Sequence, residues 1–332
     1  MKNHVALNHH LKAFDSYLTM DNVTEICINR PFEVWVEQAG RFVQFDEPAF
    51  TDDFLMQFAH LVAEANQREI SREYPTLSSI LPNGLRVQFV VEPACESGTF
   101  ICAIRQKSIK QMTLSHYFTK STGTTHCPPS MGDKQLLHDY LSGDYETFLT
   151  NAVLQKKNII ISGGTSTGKT TFLNSLLQLI PLTERLVTIE TDREVISSHQ
   201  NTVHLLAAEE GKSVAHITML GLLKATLRLR PDRILVSELR AEEAFPFLRA
   251  VNSGHPGSIT TLHADSPNNC FDQLAFMVMQ GKGMNITRSE IIAYAKSIIN
   301  IVVQINRTAD GQRYISDIYF DLAQGQEKTH AA

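Results

Sequence analysis

The chain has 332 residues, 43% of them hydrophobic and 20% charged, with a formal net charge of -5. This is the composition of an ordinary globular protein with room for two domains, and it excludes a general electrostatic pull toward nucleic acid or anionic lipid, leaving only a local basic patch open. No run approaches the ~20 apolar residues of a membrane-spanning helix. The cysteines Cys27, Cys95, Cys102, Cys127 and Cys270 lack a C-x-x-C pair, which suggests a reducing cytoplasm and neither a disulfide frame nor a zinc site.

The opening residues Met1-Lys2-Asn3-His4 lead into mixed polar sequence without the apolar stretch of a secretory signal. His4 to Leu18 has amphipathic character, suited either to a membrane surface or, more simply, to the first domain's core. Strand signals follow at Glu25 to Asn29, then at Phe32 to Val36 and Arg41 to Phe45 around Gln38-Ala39-Gly40, a hairpin pattern. Phe54, Leu55, Phe58, Leu61 and Val62 give Phe50 to Ala65 helical spacing. Strands return at Leu85 to Val91 and Thr99 to Ile104. This mixing predicts a compact α+β domain over residues 1–106. Residues 107–135 read as a linker, with Ser121-Thr122-Gly123-Thr124-Thr125 and Cys127-Pro128-Pro129-Ser130 as turn-rich stretches.

The second domain, 136–332, carries the chemistry. Gly163, Gly164, Thr165, Ser166, Thr167, Gly168, Lys169 and Thr170 fit the phosphate-loop pattern G-x-x-x-x-G-K-[ST], and Thr171 continues it. The loop follows the apolar run Asn158 to Ile161 and precedes Phe172, Leu173, Leu176, Leu177 and Ile180 at helical spacing, the strand and helix that the motif requires. Backbone N-H groups there converge on one concavity, where the helix dipole favours a phosphate chain. Lys169 is placed for the β and γ oxygens of ATP, and the Thr170 hydroxyl is a hard oxygen ligand for Mg2+.

Three more apolar strands run into chemically capable residues. Leu186 to Ile189 ends at Glu190, Ile234 to Val236 leads through Ser237 to Glu238, and Ile259 to Leu262 ends at His263. If the strands are parallel, all four groups share the carboxyl edge of one sheet, where open α/β sheets bind ligands. Ile301 to Ile305, Asp310-Gly311 and Tyr314 to Phe320 read as a terminal hairpin.

Taken in order, Leu85-Arg86-Val87-Gln88, Ala103-Ile104-Arg105, the phosphate loop, Thr188-Ile189-Glu190, Leu229 to Leu235, Glu238-Leu239-Arg240, Ser253-Gly254-His255 and Thr260 to Ala264 resemble the hexameric traffic ATPases of bacterial type IV secretion, the VirB-type ATPases. The resemblance covers nearly the whole chain. It implies a RecA-like phosphate-loop ATPase domain with a mainly parallel sheet, in a homo-hexamer that works with other type IV secretion components at the cytoplasmic face of the inner membrane. Association with the membrane would be peripheral, and direct nucleic-acid binding is not indicated. Residue by residue, it implies that Glu238 polarises the attacking water and reaches the metal, that Glu190 positions water or metal, and that His263 senses the γ-phosphate. Arg86 and Arg105 would reach across to the γ-phosphate from the first domain; the competing reading for each is a surface ion pair.

The chain departs from that family pattern in four places. Ser166 stands where Gly is usual, Thr191 precedes Asp192 where the order is normally reversed, Ser237 replaces Gly, and Pro246 falls within an expected helix, delaying its start or kinking it. A pilus-extension, pilus-retraction or type II secretion ATPase is the alternative within the same chemistry, and the missing C-x-x-C pairs and short first domain count against the type II version. A nucleic-acid motor lacks its expected run of basic and aromatic residues. A non-catalytic nucleotide switch would not need Glu190, Glu238 and His263 together.

Overall fold

The computed structural model describes residues 2–106, 131–208, 215, 217–281 and 286–324. The first domain runs α1 (Lys2–Lys12), α2 (Asp15–Leu18), β1 (Val23–Ile28), β2 (Glu33–Gln38), β3 (Arg41–Asp46), α3 (Asp52–Ala65), β4 (Thr76–Ile80), β5 (Arg86–Val90) and β6 (Ile101–Arg105). Its strands form an antiparallel sheet in the order β3-β2-β1-β6-β5-β4. Ala39 and Gly40 both take positive φ, the geometry of a tight two-residue hairpin turn. Thr51 caps α3 by accepting from Phe54 N, and Asp52 and Asp53 complement the helix dipole. Leu7, Leu11, Phe14 and Tyr17 are buried with α3 and the sheet, so the amphipathic opening segment belongs to the core.

The second domain continues with α4 (Met131–Leu141), α5 (Tyr145–Leu154), β7 (Ile159–Ser162), α6 (Lys169–Leu177), β8 (Leu186–Glu190), β9 (Thr202–Leu206), α7 (Met219–Thr226), β10 (Arg233–Val236) and α8 (Ala244–Asn252). It ends with β11 (Ile259–Leu262), α9 (Pro267–Gln280), α10 (Arg288–Ile298), β12 (Ile301–Arg307) and β13 (Arg313–Phe320). The sheet order is β13-β12-β7-β11-β10-β8-β9, parallel throughout except for β13. Successive strand residues face opposite layers: Ile160, Val187 and Ile234 pack toward α8 and α9, while Ile159, Ile161 and Leu235 pack toward α5 and α6. A parallel sheet covered on both faces needs such unbroken apolar strands. Pro246 sits in the first turn of α8, where its missing donor costs nothing.

Most of the expected linker, 107–130 with Cys127, lies outside the described residues, and its last five positions belong to α4. The two domains are not packed separately. Cys27, Trp35, Val90 and Ala103 of the first sheet share one apolar core with Val203, Leu205 and Leu229 of the second domain. Leu206 N donates to Ala94 O at 2.9 Å and Glu96 N to His204 O at 3.3 Å, covering the open edge at β9. Fully buried Arg185 donates to Asn29 Oδ1 at 2.8 Å and Leu229 O at 2.9 Å. Arg230 reaches Glu37 with Nε at 3.2 Å and with Nη2.

Candidate active site

The loop between β7 and α6 is shaped by two small residues. Gly168 has φ of +93°, in the left-handed region, and Gly163 lies so close to Ile305 O that an added Cβ would stand 2.5 Å from it. Ser166 also has a positive φ, +59°, which is the conformation that a glycine there would adopt without strain. Thr167 Oγ1 donates to Gly164 O at 3.0 Å and steadies the loop, Thr165 and Ser166 are exposed, and Thr170 is half-buried on the first turn of α6.

Lys169 folds back over the loop. Its Nζ donates to Gly163 O at 3.0 Å and Gly164 O at 2.9 Å, and lies 3.2 Å from His263 Nδ1. Burial lowers the affinity of this amine for its proton, with the charge of Glu238 opposing the shift. An ammonium only donates, so Nδ1 of His263 is the acceptor in this contact and Nε2 faces Glu238. That nitrogen stands 2.7 Å from Glu238 Oε1, while Glu238 Oε2 receives Arg240 Nε at 2.7 Å and Nη2 at 2.6 Å. Lys169, His263, Glu238 and Arg240 thus form one continuous polar chain along the carboxyl edges of β7, β11 and β10. Arg240 reaches Glu238 from only two residues along the chain, a contact that no spacing pattern in the sequence marks.

Glu190 lies on the same sheet edge but does not join that chain. It is fully buried, and its oxygens accept from Thr188 Oγ1 at 2.7 Å, Glu194 N at 2.8 Å and Val195 N at 2.7 Å. Burial alone would raise its pKa, yet hydrogen bonds from His204, Val195, Thr188 and Glu194 outweigh it and hold the carboxyl below its ordinary value. Glu190 therefore ties down the turn after β8, which Asn174 of α6 also grips through Glu194 O at 3.0 Å and Ile196 N at 3.0 Å. Asp192, on that turn, is exposed.

Arg86 and Arg105 are register partners on β5 and β6, both exposed. They line a cavity of about 820 Å³ between the domains, together with Arg68, Arg228, Arg230 and His255. Residues 227–230 precede β10 and residues 253–255 precede β11, so this basic cavity opens at the amino edge of the parallel strands. The phosphate loop follows β7, parallel to both, at the carboxyl edge. Within one chain the two arginines and the phosphate loop stand at opposite ends of the sheet.

The donor set at the carboxyl edge suits a magnesium nucleotide. Lys169 spends its three N-H bonds on two loop carbonyls and one imidazole, acceptors that phosphate oxygens replace in kind. The Thr170 hydroxyl and the Glu238 carboxylate are hard oxygen donors of the type Mg2+ selects. Among the described residues no cluster of His, Cys, Asp and Glu forms a metal cage, and magnesium carried mainly by phosphates does not require one.

The chain is similar to known proteins over nearly its whole length. The family model described as "Type II/IV secretion system protein" matches residues 138–319. The chain is 36% identical over 331 residues to the type IV secretion system protein VirB11 of Brucella suis biovar 1 (strain 1330), covering 97% of this chain and 92% of that protein. It is 37% identical over 323 residues to the type IV secretion system protein PtlH of Bordetella pertussis (strain Tohama I), with 95% of each chain covered. The crystal structure of the VirB11 ATPase from the Brucella suis type IV secretion system, in complex with sulphate, superposes with a TM-score of 0.89 at 34% identity, covering 99% of this chain and 98% of that one.

Proposed function

We propose, for a chain that belongs to the type II/IV secretion system protein family and is an ATPase, that magnesium-dependent ATP hydrolysis in a hexameric ring powers type IV secretion, through substrate translocation, pilus assembly or both. The observation that carries the reading is the polar chain from Lys169 through His263 to Glu238 and Arg240 over one phosphate loop.

Thr170 and Glu238 are the residues that would hold magnesium, which would supply charge neutralisation to a bound polyphosphate. Lys169 exchanges the carbonyls of Gly163 and Gly164 and the imidazole of His263 for phosphate oxygens. That exchange releases Nδ1 of His263, so the ring reports whether the phosphate chain is present. Glu238 orients the attacking water and receives its proton, while Arg240 holds the carboxylate in place. Glu190 acts at one remove, by fixing the turn against α6.

The placement of Arg86 and Arg105 favours a ring. A head-to-tail interface sets the amino edge of one subunit against the carboxyl edge of the next, and six such contacts can close. The two arginines then face a neighbour's γ-phosphate, where a guanidinium offers bidentate contact to spreading negative charge. Nucleotide binding draws neighbouring domains together and hydrolysis releases them. No helix among the described residues is long and apolar enough to cross a membrane, and α1 is spent on the first domain's core. Peripheral placement at the cytoplasmic face of the inner membrane therefore falls to docking on other secretion components.

Two measurements test the reading. The purified chain should hydrolyse ATP only with magnesium, and particle images with a non-hydrolysable ATP analogue should show a six-fold ring whose first domains tighten. A monomer indifferent to nucleotide would remove the ring, and hydrolysis unaffected by Lys169→Ala would remove the site.

A further inference from the structure

The strand order around the phosphate loop gives a bound polyphosphate a direction. β7, which feeds the loop, has β11 and β10 on one side and β12 and β13 on the other. The groups suited to the reacting end, His263 and Glu238, follow β11 and β10. The γ end of a nucleotide therefore lies on that side, and the α-phosphate and nucleoside lie toward the β12–β13 hairpin.

On that second side stands Arg313, the first residue of β13. A Cβ added to Gly168 would meet Arg313 Cδ at 2.6 Å, Nε at 2.9 Å and Cζ at 3.1 Å, so the Arg313 side chain lies directly against the start of α6. Its Nη1 is 3.5 Å from Thr171 Oγ1, the next hydroxyl after Thr170. Arg313 is exposed and has no ion-pair partner among the described residues, and the absence of a side chain at Gly168 leaves it room to approach the loop.

We propose that Arg313, with Thr171, binds the α-phosphate of the nucleotide. The proposal rests on the phosphate-loop reading above and assigns a second cation to the site. Lys169 serves the β and γ oxygens, whereas Arg313 serves the end that ATP and ADP have in common. It therefore sets affinity for both nucleotides without discriminating between them. A planar guanidinium with five donors suits this better than a lysine, because it can span the α-phosphate and the Thr171 hydroxyl at once.

Titration calorimetry of the full chain with magnesium-ADP and with a non-hydrolysable magnesium-ATP analogue tests the assignment, using Lys169→Ala as the reference variant. Arg313→Ala should weaken both ligands by the same factor, about 10-fold to 100-fold. Arg313→Lys should recover only part of the loss, and Arg313→Gln, which keeps the stem, should behave like the alanine variant if the charge is what matters. Binding of ADP within about twofold of the unaltered chain in Arg313→Ala, with Lys169→Ala impaired, overturns the role of Arg313 alone. A loss confined to the ATP analogue also overturns it, because it would place the guanidinium at the γ end. Unchanged ADP binding in both variants removes the phosphate-loop reading itself.

Discussion

Lys169 Nζ lies 3.2 Å from His263 Nδ1 although the two residues are 94 positions apart. With two loop carbonyls as its other partners, the ammonium is fully engaged before any phosphate arrives. In the proposed site, removing it takes away the charge that faces the β and γ oxygens and the contact to His263. Lys169→Ala should lower ATP turnover by at least about 100-fold, measured as phosphate release from the purified chain.

Glu238 holds a different position, between His263 at 2.7 Å and Arg240 at 2.7 Å, with no direct contact to the loop. Its substitution should separate hydrolysis from binding. Glu238→Gln keeps the shape and removes the base, so turnover should fall about 10²- to 10⁴-fold while the chain still binds ATP. Loss of binding and turnover in equal proportion would contradict a role for Glu238 in activating the attacking water.

Ser166 is the irregular member of the loop, with φ of +59°. Ser166→Gly relieves the left-handed strain and should raise stability by about 1 kcal/mol, read by thermal unfolding. Ser166→Val, which puts a β-branched side chain in the same conformation, should lower the melting temperature and impair nucleotide binding. A valine variant as stable as the glycine one would show that the loop relaxes to another backbone conformation.

Burial, opposed by Arg105 across the β1–β6 ladder, pushes the Glu25 carboxyl from 4.5 up to about 7. Between those values the folded chain keeps a proton that the unfolded chain has lost. Stability from this group is complete below the unfolded value and is lost as pH rises toward 7. Glu25→Gln should match the unaltered chain near pH 4 and exceed it by about 1–3 kcal/mol at pH 8, measured by denaturant titration across the range. A constant difference at every pH would mean that the Glu25 carboxyl has the same pKa in the folded and unfolded chain.

Arg230 of the second domain holds Glu37 of the first, a carboxylate buried beneath the domain interface, and does so from a left-handed backbone position. Arg230→Ala leaves that charge without its main partner and should cost about 3 kcal/mol in denaturant unfolding, with faster proteolysis between the domains. A double change of Arg230→Met and Glu37→Met should recover most of the loss. Failure to recover would show that the contact sets the geometry of the domain interface and does more than neutralise Glu37.

The strands of the second sheet that lead to Lys169, Glu190, Glu238 and His263 were legible because a parallel sheet covered on both faces needs unbroken apolar runs. β4 and β9 were missed. Both are edge strands, and Thr76-Leu77-Ser78-Ser79-Ile80 and Thr202-Val203-His204 mix polar and apolar residues as a strand paired on only one side can. Arg313 was also missed: the Asp310-Gly311 signal marks the hairpin, but only the antiparallel return of β13 lays this residue over Gly168.

Sequence alone determined the parts of this protein that depend on local order: the phosphate-loop pattern with its flanking strand and helix, the residue types at the ends of its strands, and a mixed α+β first domain. These follow from spacing and periodicity, which act over a few residues. Tertiary structure alone decided how those residues are connected. It joined Lys169 to Glu238 through His263, sealed Glu190 into a turn, and put Arg86 and Arg105 at the far edge of the sheet from the phosphate loop. Such relationships depend on which strands lie side by side, and that is settled by long-range packing between segments whose separation along the chain carries no local signal.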